Sequence, residues 1–448
     1  MKDWDAAHVA DKAHARLLAH GSSSGGPLRV VIDSREVQPG DLFVGLRGEH
    51  DDGGRFANRA LEAGAWGVLV GPHFASRVPG GAVLEHDDPL GALQALAHAW
   101  RLELAAQVVA ITGSTGKTST KEILTAIAQA ERRTAFSPGN YNTAIGLPLA
   151  ILAAPADTEV LVLELAMRAA GEIAELAAIC EPDVAVIVNV GPAHLERLGS
   201  IEAVAAAKAE LLAALPAAGT AVIPAGEPLL EPYLPERGAI IRFGPGGDVS
   251  VASVAPEGVE IDVFGERTRL EPGFRQAHLL LDLCAAIAAA RALGVAVGDR
   301  LEVAFSGMRG ERIELAGGVT IINDCYNANP MSMRAALEAL SSDSAAMRRV
   351  AVLGDMLELG ADAAAYHREL GDQATDARVL ILVTVGELAR SAGETFVGGE
   401  HFHVADAAEG ASVLAPLLQR GDVVLVKGSR GVGLEAVARR LTLMRAGA

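Results

Sequence analysis

The sequence predicts an α/β protein of three units. These are a small N-terminal α/β domain over residues 1–86, a central P-loop-type domain on a parallel sheet over 87–313, and a C-terminal Rossmann-like domain over 314–448. Three observations carry this reading. Short apolar, β-branched runs alternate with helical patterns along most of the chain, as in parallel sheets covered by helices. One such run leads directly into a Gly-rich turn and a helix. The chain has 448 residues, half of them apolar, enough for several cores at the usual domain sizes.

In the first unit, residues 28–32 read as a strand, followed by Asp33, Ser34 and Arg35. Pro39-Gly40-Asp41 is a turn before a strand at 42–44. A short helix at 55–63 precedes a strand at 66–70. Asp87-Asp88-Pro89 marks a boundary, and a helix over 90–102 leads into the central unit.

The central unit opens with VVAITGSTGKTSTKE, residues 108–122. Val108 to Ile111 form a buried strand, and a helix runs over 121–130. Between them lie Gly113, Ser114, Thr115, Gly116, Lys117, Thr118 and Ser119. Backbone N–H groups in such a turn point at phosphate oxygens. Lys117 can reach β- and γ-phosphates, and Thr118 can hold Mg²⁺. The position five before Gly116 is Ile111, so the loop is the shorter T-G-x-x-G-K-[ST] form. It predicts a nucleoside triphosphate site.

Strands at 160–165 and 184–190 bring Glu164 and His194 to the same sheet end as Lys117 and Thr118, where open parallel sheets bind ligands. A carboxylate in a buried strand is costly unless paired or on a metal. A lone histidine there is more often structural. Beside a phosphate loop, the two together read as a Mg²⁺ site. A helix over 201–215 puts Lys208 on its apolar stripe. It is either a snorkelling side chain or a functional lysine turned inward. Residues 238–270 read as short strands and 277–293 as an apolar helix, and Arg309 sits in a Gly-containing link at 307–310.

The last unit alternates strands at 319–322, 350–353, 379–385 and 423–426 with helices at 332–340, 363–373, 407–418 and 434–444. Two stretches there look chemical: Asp324-Cys325-Tyr326-Asn327-Ala328-Asn329-Pro330 and Lys427-Gly428-Ser429-Arg430-Gly431.

A net charge of −18 argues against nucleic-acid and membrane-surface partners, leaving small molecules. Cys180, Cys284 and Cys325 are too few for a disulfide framework, which fits a reducing compartment. The N-terminus carries no apolar signal segment, and the longest uncharged run, 211–226, is broken by Gly and Pro. A cytoplasmic monomer is expected.

These blocks in order resemble the Mur ligases, the ATP-dependent amino-acid ligases of peptidoglycan synthesis, and within them the branch that adds D-alanyl-D-alanine. The resemblance rests on DSREVQPGDLFVGLRGE (33–49), NVGPAHLERLGS (189–200), NDCYNANPMSMRAAL (323–337), LGDMLELG (353–360) and VKGSRGVG (426–433). It implies that ATP phosphorylates the terminal carboxylate of a UDP-N-acetylmuramoyl-tripeptide and that the amine of D-Ala-D-Ala attacks the acyl phosphate. It implies Thr118, Glu164 and His194 as Mg²⁺ ligands, with Lys208 carbamylated to hold a second Mg²⁺. By the same resemblance Arg309 would reach the ATP phosphates. Asp324, Tyr326, Asn327 and Asn329 resemble residues that close over the nucleotide. Ser34, Arg35, Arg47 and Gly48 match the UDP end of the substrate site, and Asn140 and Asn142 the loop near peptide and phosphate.

The chain departs from the family pattern at several places. His278-Leu279-Leu280-Leu281-Asp282 replaces His-Asn-x-x-Asn, Thr143 replaces an Asn, and Pro224 stands where Asn is common. Asp282 then either faces adenine or lies on the solvent side of its helix. A sister ligase adding the third residue, and a non-catalytic nucleotide-binding paralogue, are the rival readings. Diaminopimelate and lysine are equally open as the third residue of the substrate.

Overall fold

The structure, a computed structural model, describes residues 1–21, 25–78 and 80–446. It contains three sheets. The first has five strands in the order Arg16–His20, Ala82–Glu85, Gly67–Val70, Leu42–Val44, Val30–Val31. Only its Arg16–His20 edge is antiparallel.

The second sheet has nine strands and places the phosphate loop. Its centre is Gln107–Thr112, flanked in parallel by Val160–Glu164 and Val184–Ile187. Ile111 is in register with both Glu164 and Val186, so the three C-terminal ends lie side by side. Apart from their ends at Gln107, Thr112 and Glu164, the three strands are apolar, and all but Gln107 are buried, as parallel strands under two helical layers must be. Helices Lys117–Gln129 and Ala277–Ala292 share one core with one face; Pro89–Glu103, Glu172–Cys180 and Ile201–Ala213 pack into the core on the other. Beyond Thr220–Pro224 and Ala239–Phe243 the sheet ends in Val249–Ala255, Gly258–Val263 and Glu266–Leu270, the last two antiparallel additions.

The third sheet runs Glu311–Leu315, Val319–Asp324, Asp422–Lys427, Arg348–Gly354, Val379–Val385, Glu400–Val404, parallel except for its first pair. Among the described residues no helix is long and apolar enough to cross a membrane.

Several elements differ from the sequence expectation. The loop helix starts at Lys117, four residues before the expected 121, because Gly116 takes a left-handed φ of 77° and closes the turn there. Glu311–Leu315 straddles residues 313 and 314; no element was expected there, yet it is an edge strand with one buried end. Thr220–Pro224 is a strand inside the run that looked merely broken by Gly and Pro.

Candidate active site

A single cleft of about 2650 Å³ lies between the second and third sheets. Ordinary ligand pockets hold roughly 300–1,000 Å³, so this one has room for more than one substrate. Ser114 to Ser119, Asn140, Asn142, Glu164, His194, Asp282, Arg309, Asp324, Tyr326, Asn327 and Asn329 all line it. Gly113 lies just beneath, its carbonyl accepting from the Lys117 ammonium at 2.8 Å. Burial holds the Lys117 amine below the usual lysine range; Glu164 pulls it back up and Arg309 pushes it further down.

Glu164 is 2 % exposed and fully partnered. The Thr118 hydroxyl donates to its Oε2 at 2.8 Å and the Asn142 amide to its Oε1 at 2.8 Å. Lys121 Nζ lies 3.8 Å from Oε2. Lys121 is itself buried and donates to the Ser137 carbonyl at 2.9 Å. Lys121 was missed by the sequence reading. The signal was available: it lies four residues after Lys117, hence on the same helical face.

His194 takes a left-handed φ of 58° and caps the short helix Leu195–Leu198. Its Nδ1 lies 2.5 Å from Glu358 Oε2, a residue of the third-sheet unit that sequence reasoning also left without a role. Burial lowers the His194 pKa; Glu358 opposes this, and the charges of Lys117 and Lys208 add to it. Lys208 is 1 % exposed. The snorkelling alternative is therefore excluded: the head group is buried with the stem. Burial, with Lys117 adding, holds its pKa well below the usual value.

Besides Glu358, the third-sheet unit contributes chiefly through the loop Asp324–Asn329. Asp324 pairs with Lys427 at 2.7 Å, the two being in register on neighbouring strands. Asn329 caps helix Pro330–Ser341 and donates from Nδ2 to the Ser114 carbonyl at 3.0 Å, joining the two units at the phosphate loop. The Arg309 guanidinium stacks 3.9 Å from the Tyr326 ring centroid. The link before it is held by Glu122, which accepts from the Ser306 N–H and hydroxyl.

At Asp282 one of the two open alternatives falls. The residue is 5 % exposed, so the solvent-side alternative fails. Its Oδ1 would lie 2.3 Å from a Cβ placed on Gly116, so the carboxyl packs directly against the loop glycine and only glycine fits there. Burial pushes its pKa well above the usual carboxylate range, with the nearby Thr120 hydroxyl and Arg309 pulling the other way. An acid with a raised folded pKa favours folding below its unfolded pKa, and that contribution is lost as pH rises toward the folded value. Asp282→Asn, isosteric and uncharged, should therefore melt higher than wild type at alkaline pH, by about 2–4 °C or more, the worth of roughly 1 kcal/mol in a domain of 150–250 residues. The gap should shrink toward pH 4. A pH-independent difference in melting temperature would count against a buried neutral carboxyl.

Ser34, Arg35, Arg47 and Gly48 are not in the cleft lining. Arg35 pairs with Asp33 at 2.5 Å and Arg47 lies 3.7 Å from Asp52, both at the surface of the first sheet.

A hard cation fits the Thr118–Glu164 corner. A hydroxyl and a carboxylate meet there beside the phosphate loop, and Mg²⁺ is commonly held by one or two carboxylates plus substrate phosphates. Among the described residues no three His, Cys, Asp or Glu side chains cluster tightly enough to hold a metal alone.

Comparison with known proteins agrees with this geometry. Three family models match: the Mur ligase family catalytic domain at 29–99, the Mur ligase middle domain at 111–290, and the Mur ligase glutamate ligase domain at 308–430. The UDP-N-acetylmuramoyl-tripeptide–D-alanyl-D-alanine ligase of Bacillus subtilis is 35 % identical over 444 residues, 97 % of this chain and 95 % of that protein. The Escherichia coli protein of the same name is 33 % identical, covering 92 % and 93 %. Among solved structures, MurF from Acinetobacter baumannii superposes with a TM-score of 0.88 at 28 % identity, covering 99 % of each chain. MurF from Thermotoga maritima in complex with ADP superposes with 0.83 at 31 %, covering 94 % of this chain and 98 % of that one.

Proposed function

The chain belongs to the Mur ligase family, and from that premise we propose that it joins D-alanyl-D-alanine to UDP-N-acetylmuramoyl-tripeptide at the expense of ATP. The observation that carries the reading is the meeting, in one cleft, of the phosphate loop with the Asp324–Asn329 loop of another sheet unit. The near full-length relatives that bear this activity in their names support the substrate assignment.

A carboxylate is a poor electrophile and needs a leaving group. Phosphoryl transfer asks the protein for positioning and charge neutralisation rather than covalent help. Lys117 and Arg309 supply positive charge at the γ-phosphoryl group. The Gly113–Thr118 backbone cradles the phosphates at a helix N-terminus. Asp324, Tyr326 and Asn327 stand opposite, with Asn329 holding the loop in place. Asn140 and Asn142 border the carboxylate that accepts the phosphoryl group. The amine of D-Ala-D-Ala then displaces phosphate from the acyl phosphate.

Thr118, Glu164, His194 and a carbamylated Lys208 would hold Mg²⁺, which when bound neutralises phosphate charge. Ser34, Arg35, Arg47 and Gly48 bind the UDP end, on the first of three units spanning 1–86, 87–313 and 314–448. The enzyme works as a cytoplasmic monomer.

Phosphate release measured with UDP-MurNAc-tripeptide, with and without D-Ala-D-Ala, tests this. ADP and phosphate should form only when both substrates are present. AMP and pyrophosphate as products would rule out the acyl phosphate.

A further inference from the structure

Glu358 follows the Arg348–Gly354 strand, in the third-sheet unit, yet its closest partners belong to the second-sheet unit. Its Oε2 meets His194 Nδ1 at 2.5 Å and its Oε1 lies 3.9 Å from Arg168 Nε. Its backbone carbonyl accepts from the Glu196 N–H at 3.2 Å. Gly360, with φ of 66°, brings its Cα face onto the Glu196 backbone, where an added Cβ would sit 3.4 Å from Glu196 Cα. The segment is thus seated on the His194–Glu196 turn by side chain and main chain together.

Both partners of the short contact are backbone-strained. His194 has φ of 58° and Glu358 φ of 62°, a left-handed region that non-glycine residues rarely adopt. Two such residues facing each other across two units mark a place where geometry is held for a purpose.

The chemistry of the pair assigns that purpose. A carboxylate oxygen accepts, so Nδ1 of His194 donates, and in the neutral imidazole Nε2 then keeps its lone pair. Carboxylates that take the far N–H of a metal-binding histidine fix its tautomer and ring orientation and raise its basicity. We infer that Glu358 is a positioning residue that makes His194 competent to bind the cation, and does so only when the two units are docked. The inference rests on the Mg²⁺ reading of His194 given above and deepens it: completion of the metal site becomes conditional on domain juxtaposition. The third unit supplies no ligand itself; it orients one.

The test uses the full-length enzyme with ¹⁵N-labelled histidine, comparing wild type, Glu358→Gln and Glu358→Ala. The Glu358 side chain is 38 % exposed, so truncation leaves no core cavity. The first readout is the His194 tautomer by ¹⁵N–¹H correlation, without metal. Wild type should be protonated at Nδ1, Glu358→Ala should move toward the Nε2–H form, and Glu358→Gln, whose amide oxygen still accepts, should keep the wild-type form. The second is Mg²⁺ binding to the enzyme–ADP complex by calorimetry. It should weaken about 10–100-fold in Glu358→Ala, the usual cost of losing such a partner, and less in Glu358→Gln. An unchanged tautomer with Mg²⁺ affinity within about twofold of wild type in Glu358→Ala overturns the role of Glu358 alone. A wild-type enzyme–ADP complex that binds no Mg²⁺ overturns the cation reading, and this inference with it.

Discussion

Lys117→Ala should lower turnover by roughly 10²–10³-fold, the scale of removing one preorganised group aimed at developing charge. The amine lies in the phosphate loop, at the first residue of helix Lys117–Gln129, and bonds the Gly113 carbonyl at 2.8 Å. It is half-buried and already anchored by that bond, so little reorganisation is required when a phosphoryl group arrives. The variant loses that internal bond as well, and its melting curve must accompany the rate. A folded Lys117→Ala enzyme that retains more than about a tenth of wild-type turnover would remove Lys117 from the machinery.

Lys208→Ala should abolish most activity, and small carboxylic acids such as acetate should restore part of it by standing in for a carbamate. The structural reason lies in its burial. An unpaired ammonium in the interior costs several kcal/mol, and among the described residues no carboxylate offsets that cost at Lys208. The amine is therefore pushed toward its neutral, nucleophilic form. The sign of the linkage gives a second readout. The unfolded chain binds the proton more tightly, so wild-type stability should rise with pH through this group until the unfolded lysine value is passed. Lys208→Met, which keeps the apolar stem, should lack that rise. An inactive alanine variant that no carboxylic acid rescues, with an unmodified lysine by mass spectrometry of the native enzyme, would leave Lys208 a structural residue.

The loop and its neighbours were legible because their chemistry is written locally. Gly113 to Thr118 is contiguous, and Glu164 and His194 each terminate or follow an apolar run whose period names the element. What was hidden depends on tertiary packing. Lys121 becomes a partner of Glu164 only once the strand and helix are packed. Glu358 reaches His194 across 164 residues of sequence, with no periodicity to announce it. For Asp282 the sequence left a solvent-side position open, because it could not show that helix Ala277–Ala292 is buried nearly all round from Asp282 onward. The edge strands Arg16–His20 and Glu311–Leu315 carry exposed, charged residues that blur the strand pattern. A resemblance between families speaks for motifs, and the first-sheet residues it assigned to the substrate lie outside the main cleft.

Asn329 performs two tasks with one amide. Its Oδ1 accepts from the Ser332 N–H at 2.9 Å, closing a capping box, while its Nδ2 donates to Ser114 at 3.0 Å. Asp would keep the cap and lose the donor. Ser and Thr would keep the cap and fall short of the second unit. Gln would keep both functions in principle but is one methylene too long to cap. The admissible alphabet at position 329 thus shrinks to a single letter, although each task alone tolerates several. A library at position 329 alone should therefore return Asn almost exclusively.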